Sequence, residues 1–130
     1  MDRVRERLTQ ARRALGTLQA LLALPLDEVS RDAAIQRFEY TFEATWKAAQ
    51  AYLREAEGMD AASPKSAIRS AFQVGFLDEA GCQSALAMAD DRNLTSHTYN
   101  EGLAHALAAR LPRHAALMDA WIAAMERKVA

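Results

Sequence analysis

Val4, Leu8, Ala11, Leu15, Leu18 and Leu22 recur at steps of four and three along the chain. That spacing lays one apolar stripe down a helix. Pro25 stops it, and Asp27 or Ser30 can cap the next helix. Ile35, Phe38, Phe42, Trp46, Ala49 and Leu53 form a second stripe, with Glu39, Lys47 and Arg54 lying off it. Gly58 ends this helix, and Met59 to Ser63 form a short loop.

Ser63-Pro64 combines a capping residue with a proline at the first helical position, which predicts a third helix. Its inward residues are Ile68, Ala71, Phe72 and Phe76, and Gly75 stands near its end. Asp78 can cap a fourth helix with Cys82, Ala85, Leu86 and Ala89 turned inward. Arg92 to Tyr99 end that helix and make a corner, and Asn100 can cap the last helix. Leu103, Leu107 and Leu111 lead to Pro112, which is expected to kink or restart the helix. Leu117, Met118, Trp121, Ile122 and Met125 complete the pattern. No stretch alternates with the period of a strand. The expectation is an all-α, up-and-down four-helix bundle with an additional short helix, five helices in one domain over residues 1–130.

Composition agrees. Apolar residues make up 51%, and the chain has five Gly and three Pro, so few turns interrupt long elements. The net charge of −1 excludes a generally basic nucleic-acid-coating protein, so any nucleic-acid role needs a local site. Of sixteen basic side chains thirteen are Arg, the better fork for phosphate. The lone Cys82 has no disulfide partner and reads as a small buried residue. Arg12-Arg13 followed by Ala14 to Leu26 imitates a signal peptide, but the apolar run is short and keeps helical spacing. With no export signal and no membrane segment, the cytoplasm is the expected location.

Asp91-Arg92-Asn93-Leu94-Thr95-Ser96-His97-Thr98-Tyr99 breaks the bundle pattern with a run of polar side chains. Residues five apart on a helix are rotated by about 140°, so Arg92 and His97 share a pocket only if the chain bends near Ser96. A neutral imidazole can take a proton from a ribose 2′-hydroxyl, and a guanidinium can hold the adjacent phosphate. Asn93 can orient substrate through its amide. This route requires no metal and no cofactor. Chance alone supplies roughly 0.3 such Arg-x4-His pairs in a chain of this composition, so the bare pair is weak evidence.

The same segment resembles the signature of HEPN domains of the nucleotidyltransferase substrate-binding group, relatives of the HepT toxins. Arg37-Phe38-Glu39-Tyr40-Thr41-Phe42-Glu43-Ala44-Thr45-Trp46-Lys47 resembles that group's second-helix motif. Ser63-Pro64-Lys65, followed by Ile68-Arg69 and Ala71-Phe72, resembles its third-helix opening. The resemblance runs in order from Arg37 to Tyr99. It implies a homodimer with the Arg–His segments near the shared interface, and a minimal nucleotidyltransferase as partner.

In the toxin branch it implies a metal-independent endoribonuclease within a toxin–antitoxin pair. Arg92 and His97 would be catalytic, Arg92 and Asn93 would bind substrate, and the partner would adenylylate Tyr99. The alternative it implies is a non-catalytic substrate-binding subunit of a two-component nucleotidyltransferase, with RNA or a nucleotide as the ligand. Many toxin-branch members carry Asp where this chain has Asn93, which bears on the toxin role and not on the fold.

Other residues have plainer readings. The Phe38, Phe42 and Trp46 stripe reads as core packing. Glu39 and Glu43, one turn apart, read as solvated or ion-paired charges, with a link from either to Arg92 left open. His105 and His114 read as ordinary residues of the last helix. Trp121 and Met125 read as core or dimer contacts. Arg3, Arg5, Arg7, Arg12 and Arg13 read as a solvated basic face.

Overall fold

A computed structural model describes all 130 residues, Met1–Ala130. It contains five helices and no strand: α1 (Asp2–Leu22), α2 (Glu28–Glu57), α3 (Pro64–Gln73), α4 (Glu79–Leu94) and α5 (Glu101–Val129). A single 3-10 turn, Thr95–His97, joins α4 to the loop before α5. The all-α bundle expected from the stripes is therefore the fold.

The helix starts follow from local chemistry. Asp27, Ser63, Asp78 and Asn100 each accept a hydrogen bond from a backbone N–H in the first turn that follows. Each such cap satisfies a donor that the helix itself leaves without a partner. Gly58 ends α2 in the left-handed conformation, φ +65°, and the following Met59 N–H closes back onto the Leu53 carbonyl at 3.0 Å. A side chain at Gly58 would strain that turn.

α2 is the central rod, and it packs against each of the other four helices. α1 and α5 flank it on one side and touch each other, while α3 and α4 pair on the other. Phe38 and Phe42 of α2, Leu15 and Leu18 of α1, Met88 of α4 and Trp121 of α5 are fully buried in one continuous core. Truncating one such side chain to Ala costs about 2–5 kcal/mol. Ion pairs fasten the rim. Arg12 of α1 reaches Asp119 at 2.5 Å and Glu126 at 2.7 Å on α5. Arg31, buried at the start of α2, grips Glu101 of α5 at 2.9 Å.

Three expectations need correction. Phe72 is 45% exposed: Ala67, Ile68 and Ala71 cover the inner face of α3, and Phe72 falls one position beyond it. Phe76 lies past the end of α3 and packs edge-on against Tyr52. Pro112 does not restart α5, which runs unbroken through it. Its ring stands on the exposed face, so the helix continues with the proline outside the core.

Candidate functional site at the α4–α5 corner

The corner forms because short polar side chains compete with the helix for backbone partners. Thr95 Oγ1 donates to the Arg92 carbonyl at 2.8 Å, and Thr98 Oγ1 donates to the Thr95 carbonyl at 3.2 Å. The chain tightens into the 3-10 turn, and Asn100 then starts α5. The bend expected near Ser96 is this turn.

Arg92 leaves the last full turn of α4 and meets α2. Its Nε lies 3.0 Å from Glu43 Oε1, and both side chains are 32% exposed. The N–H is not directed along that line, so Nε is buried without a true hydrogen bond. The other oxygen of Glu43 accepts from Trp46 Nε1 at 3.2 Å. One turn away, Glu39 Oε2 lies 3.0 Å from Thr95 Oγ1 and shares that hydroxyl's one proton with the Arg92 carbonyl. The two acidic residues of α2 therefore hold both ends of the α4 terminus. The link left open in the sequence falls to Glu43 for Arg92 and to Glu39 for Thr95.

His97 is exposed at the end of the 3-10 turn. Its ring meets Tyr99 edge-on, with centroids 6.2 Å apart, and Tyr99 is 84% exposed. Asn93 is exposed and lines a cleft of about 240 Å³ with Phe42, Ser63, Pro64, Lys65 and Ala89. Neither Arg92 nor His97 lines that cleft. The corner thus presents two neighbouring pairs, Glu43–Arg92 and His97–Tyr99, flanking a turn. No group of three or more His, Cys, Asp or Glu side chains is placed to hold a metal ion.

The sequence reading missed a second polar cluster one residue upstream. Asp91 is buried and takes both arms of Arg110, Nε to Oδ2 and Nη2 to Oδ1, each at 2.8 Å. His114 Nε2 lies 2.6 Å from Asp91 Oδ2, and its ring stacks on Phe38 with centroids 5.2 Å apart. Burial pushes the Asp91 carboxyl upward, but hydrogen bonds from Arg110 and His114 outweigh it and hold the group below its usual range. Burial pushes the His114 imidazole down, and Asp91 only partly offsets this. A neutral His114 can serve Asp91 only with its proton on Nε2. One signal was readable: Asp91 continues the inward steps of three from Ala85 and Met88.

Solved structures extend this picture. A Thermus thermophilus protein is 56% identical, with a TM-score of 0.86 over 88% of this chain and 98% of that one. A Haemophilus influenzae protein is 22% identical, with a TM-score of 0.78 over 92% of this chain and 98% of that one. Its structure is described as the fold of a substrate-binding domain of a nucleotidyltransferase, and at this identity the likeness supports the fold. Comparison with curated proteins returns no match. No helix is long and apolar enough to cross a membrane. The family described as nucleotidyltransferase substrate binding protein like matches residues 6–127, nearly the whole bundle and all of the corner, and the chain belongs to that family.

Proposed function

We propose that this protein is the substrate-binding subunit of a two-component nucleotidyltransferase, with the α4–α5 corner as its ligand-facing surface. The observation that carries this reading is the Glu43–Arg92 contact. The ion pair keeps a guanidinium at the bundle rim while leaving a third of the side chain exposed. A guanidinium restrained in this way loses less entropy on binding a phosphate than a freely rotating one. Exposed Asn93 and His97 add donors along the same corner segment. A homodimer with the two corners facing one another would turn these open surfaces into one groove. The test is co-purification with a minimal nucleotidyltransferase, followed by turnover with and without this subunit. Arg92→Ala is expected to raise KM for the nucleotide-accepting substrate with little change in kcat. Absence of a complex at micromolar concentrations would sink the reading.

A second reading, metal-independent RNA cleavage by the toxin of a toxin–antitoxin pair, draws support from the exposed imidazole of His97. In that route His97 removes the 2′-hydroxyl proton and the 2′-oxygen bonds to phosphorus. The P–O5′ bond breaks, a 2′,3′-cyclic phosphate forms, and the 5′-oxygen is protonated by water. Arg92 would carry the added negative charge of the transition state. Adenylylation of Tyr99 by the partner would silence the site, and its phenol is fully accessible for that reaction. Growth arrest on expression alone, abolished by His97→Ala, would favour this reading. Intact cellular RNA after expression would rule it out.

A further inference from the structure

Away from the corner, the start of α1, the second half of α2 and the loop after α2 line a cleft of about 530 Å³. That volume lies within the roughly 300–1,000 Å³ range of small-molecule sites. Arg3 and Arg7 enter it from one face of α1, spaced one turn apart. Lys47 and Arg54 enter it from one face of α2, two turns apart. Ala51, Ala61 and Ala62 make a small-residue floor between them. Gln50 fixes the loop wall by donating its side-chain amide to the Ala61 carbonyl at 2.6 Å.

The charge balance inside this cleft is uneven. Its two carboxylates already have partners: Glu55 pairs with the amino group of Met1, and Asp60 lies 3.6 Å from Arg54. Arg3, Arg7 and Lys47 make no ion pair with any carboxylate of the chain. The basic start of the chain, read from sequence as a solvated face, divides on this point. Arg12 is spent on α5, whereas Arg3 and Arg7 face the cleft. Three cations without counter-ions on two facing helices repel one another, and a multiply charged anion relieves that repulsion.

We propose that this cleft binds a nucleoside triphosphate. Arg3, Arg7 and Lys47 hold the phosphates, and the ribose and base rest over the alanine floor. The cleft shares α2 with the corner but none of the corner's residues: Lys47 stands one turn, about 6 Å of helix rise, beyond Glu43. The proposal therefore stands or falls independently of what the corner does.

The test is an amide NMR titration of the intact protein with ATP, read residue by residue. Shifts are expected at residues 3–7, 47–54 and 61–62, with inorganic triphosphate binding more weakly than ATP because it leaves the floor uncovered. Arg3→Glu combined with Lys47→Glu is expected to weaken ATP binding by at least about tenfold, the value of one charged hydrogen bond. Both positions are exposed, and Arg3→Gln with Lys47→Gln offers a milder pair should charge reversal disturb folding. Shifts confined to residues 92–99, no shifts at millimolar ATP, or unchanged affinity in both double variants would each overturn the proposal. So would binding of a short single-stranded RNA at the cleft with none of ATP.

Discussion

Two clusters of arginine, histidine and carboxylate sit one residue apart at the end of α4. In the inner one, Asp91, Arg110 and His114 close on each other, with Asp91 and His114 out of solvent. In the outer one, Arg92 meets Glu43 at the rim, exposed His97 meets only the edge of Tyr99, and no hydrogen bond joins the arginine to the histidine. The residue types are the same and the environments are opposite. Burial compels the inner groups to satisfy one another, because a buried charge without a partner is costly. The outer groups keep unused bonding capacity, which is what a ligand requires. The inner cluster is read as the anchor that ties α4 to α5, and the outer one as the surface it holds in place.

The strongest way to break this comparison is to remove the inner carboxylate. Asp91→Ala leaves Arg110 and His114 without their acceptor and is expected to cost about 2–3 kcal/mol in urea unfolding, Arg110 being partly solvated. A loss under about 0.5 kcal/mol would mean that the inner cluster is not an anchor. Arg92→Ala should do the reverse, with a stability change below about 1 kcal/mol, since the Glu43 pair is one-third exposed. Its main effect is expected on KM in the nucleotidyltransferase assay. A destabilisation as large as that of Asp91→Ala would erase the distinction.

Acidity sharpens the contrast further. His114 has a folded-state pKa below its unfolded value of 6.5. Folding therefore binds fewer protons at this ring, and its contribution is present above pH 6.5 and lost as pH falls toward the folded value. The melting temperature is expected to drop from about pH 7 to about pH 5, with a shallower drop in His114→Gln. Asp91 extends the same trend at lower pH, below its ordinary value of 3.8. The smallest effect is expected from Tyr99→Phe. At 84% exposure it should leave unfolding within about 0.5 kcal/mol of the parent.

Much of the fold was legible because helices announce themselves through periodicity and caps. The stripes of α1 and α2 and the caps at Ser63, Asp78 and Asn100 needed no tertiary information. The choice between Asp27 and Ser30 was left open, and the structure settles it on Asp27, which accepts from both the Ser30 amide and its hydroxyl. Phe72 was misplaced because a large apolar residue beside a stripe is indistinguishable from one on it until the neighbouring helix is in position. Pro112 was over-read because its effect depends on which face it occupies. The corner was legible as a polar interruption. That Glu43 would take Arg92 and Glu39 would take Thr95 depends on how α2 and α4 cross, which no local pattern encodes. The Asp91–Arg110–His114 cluster escaped for the same reason, since its members come from two helices.

The thirty-residue length of α2 carries a consequence for how this chain can vary. Glu43 serves the corner, and four positions later Lys47 serves the cleft, both read off one rigid cylinder. Deleting a single residue between them would rotate everything downstream by about 100° relative to everything upstream. The two surfaces would then face different directions even if the bundle re-formed. Ala61 and Ala62, in the segment after Gly58, line the same cleft, so gains and losses of sequence among relatives are expected outside both that segment and the rod.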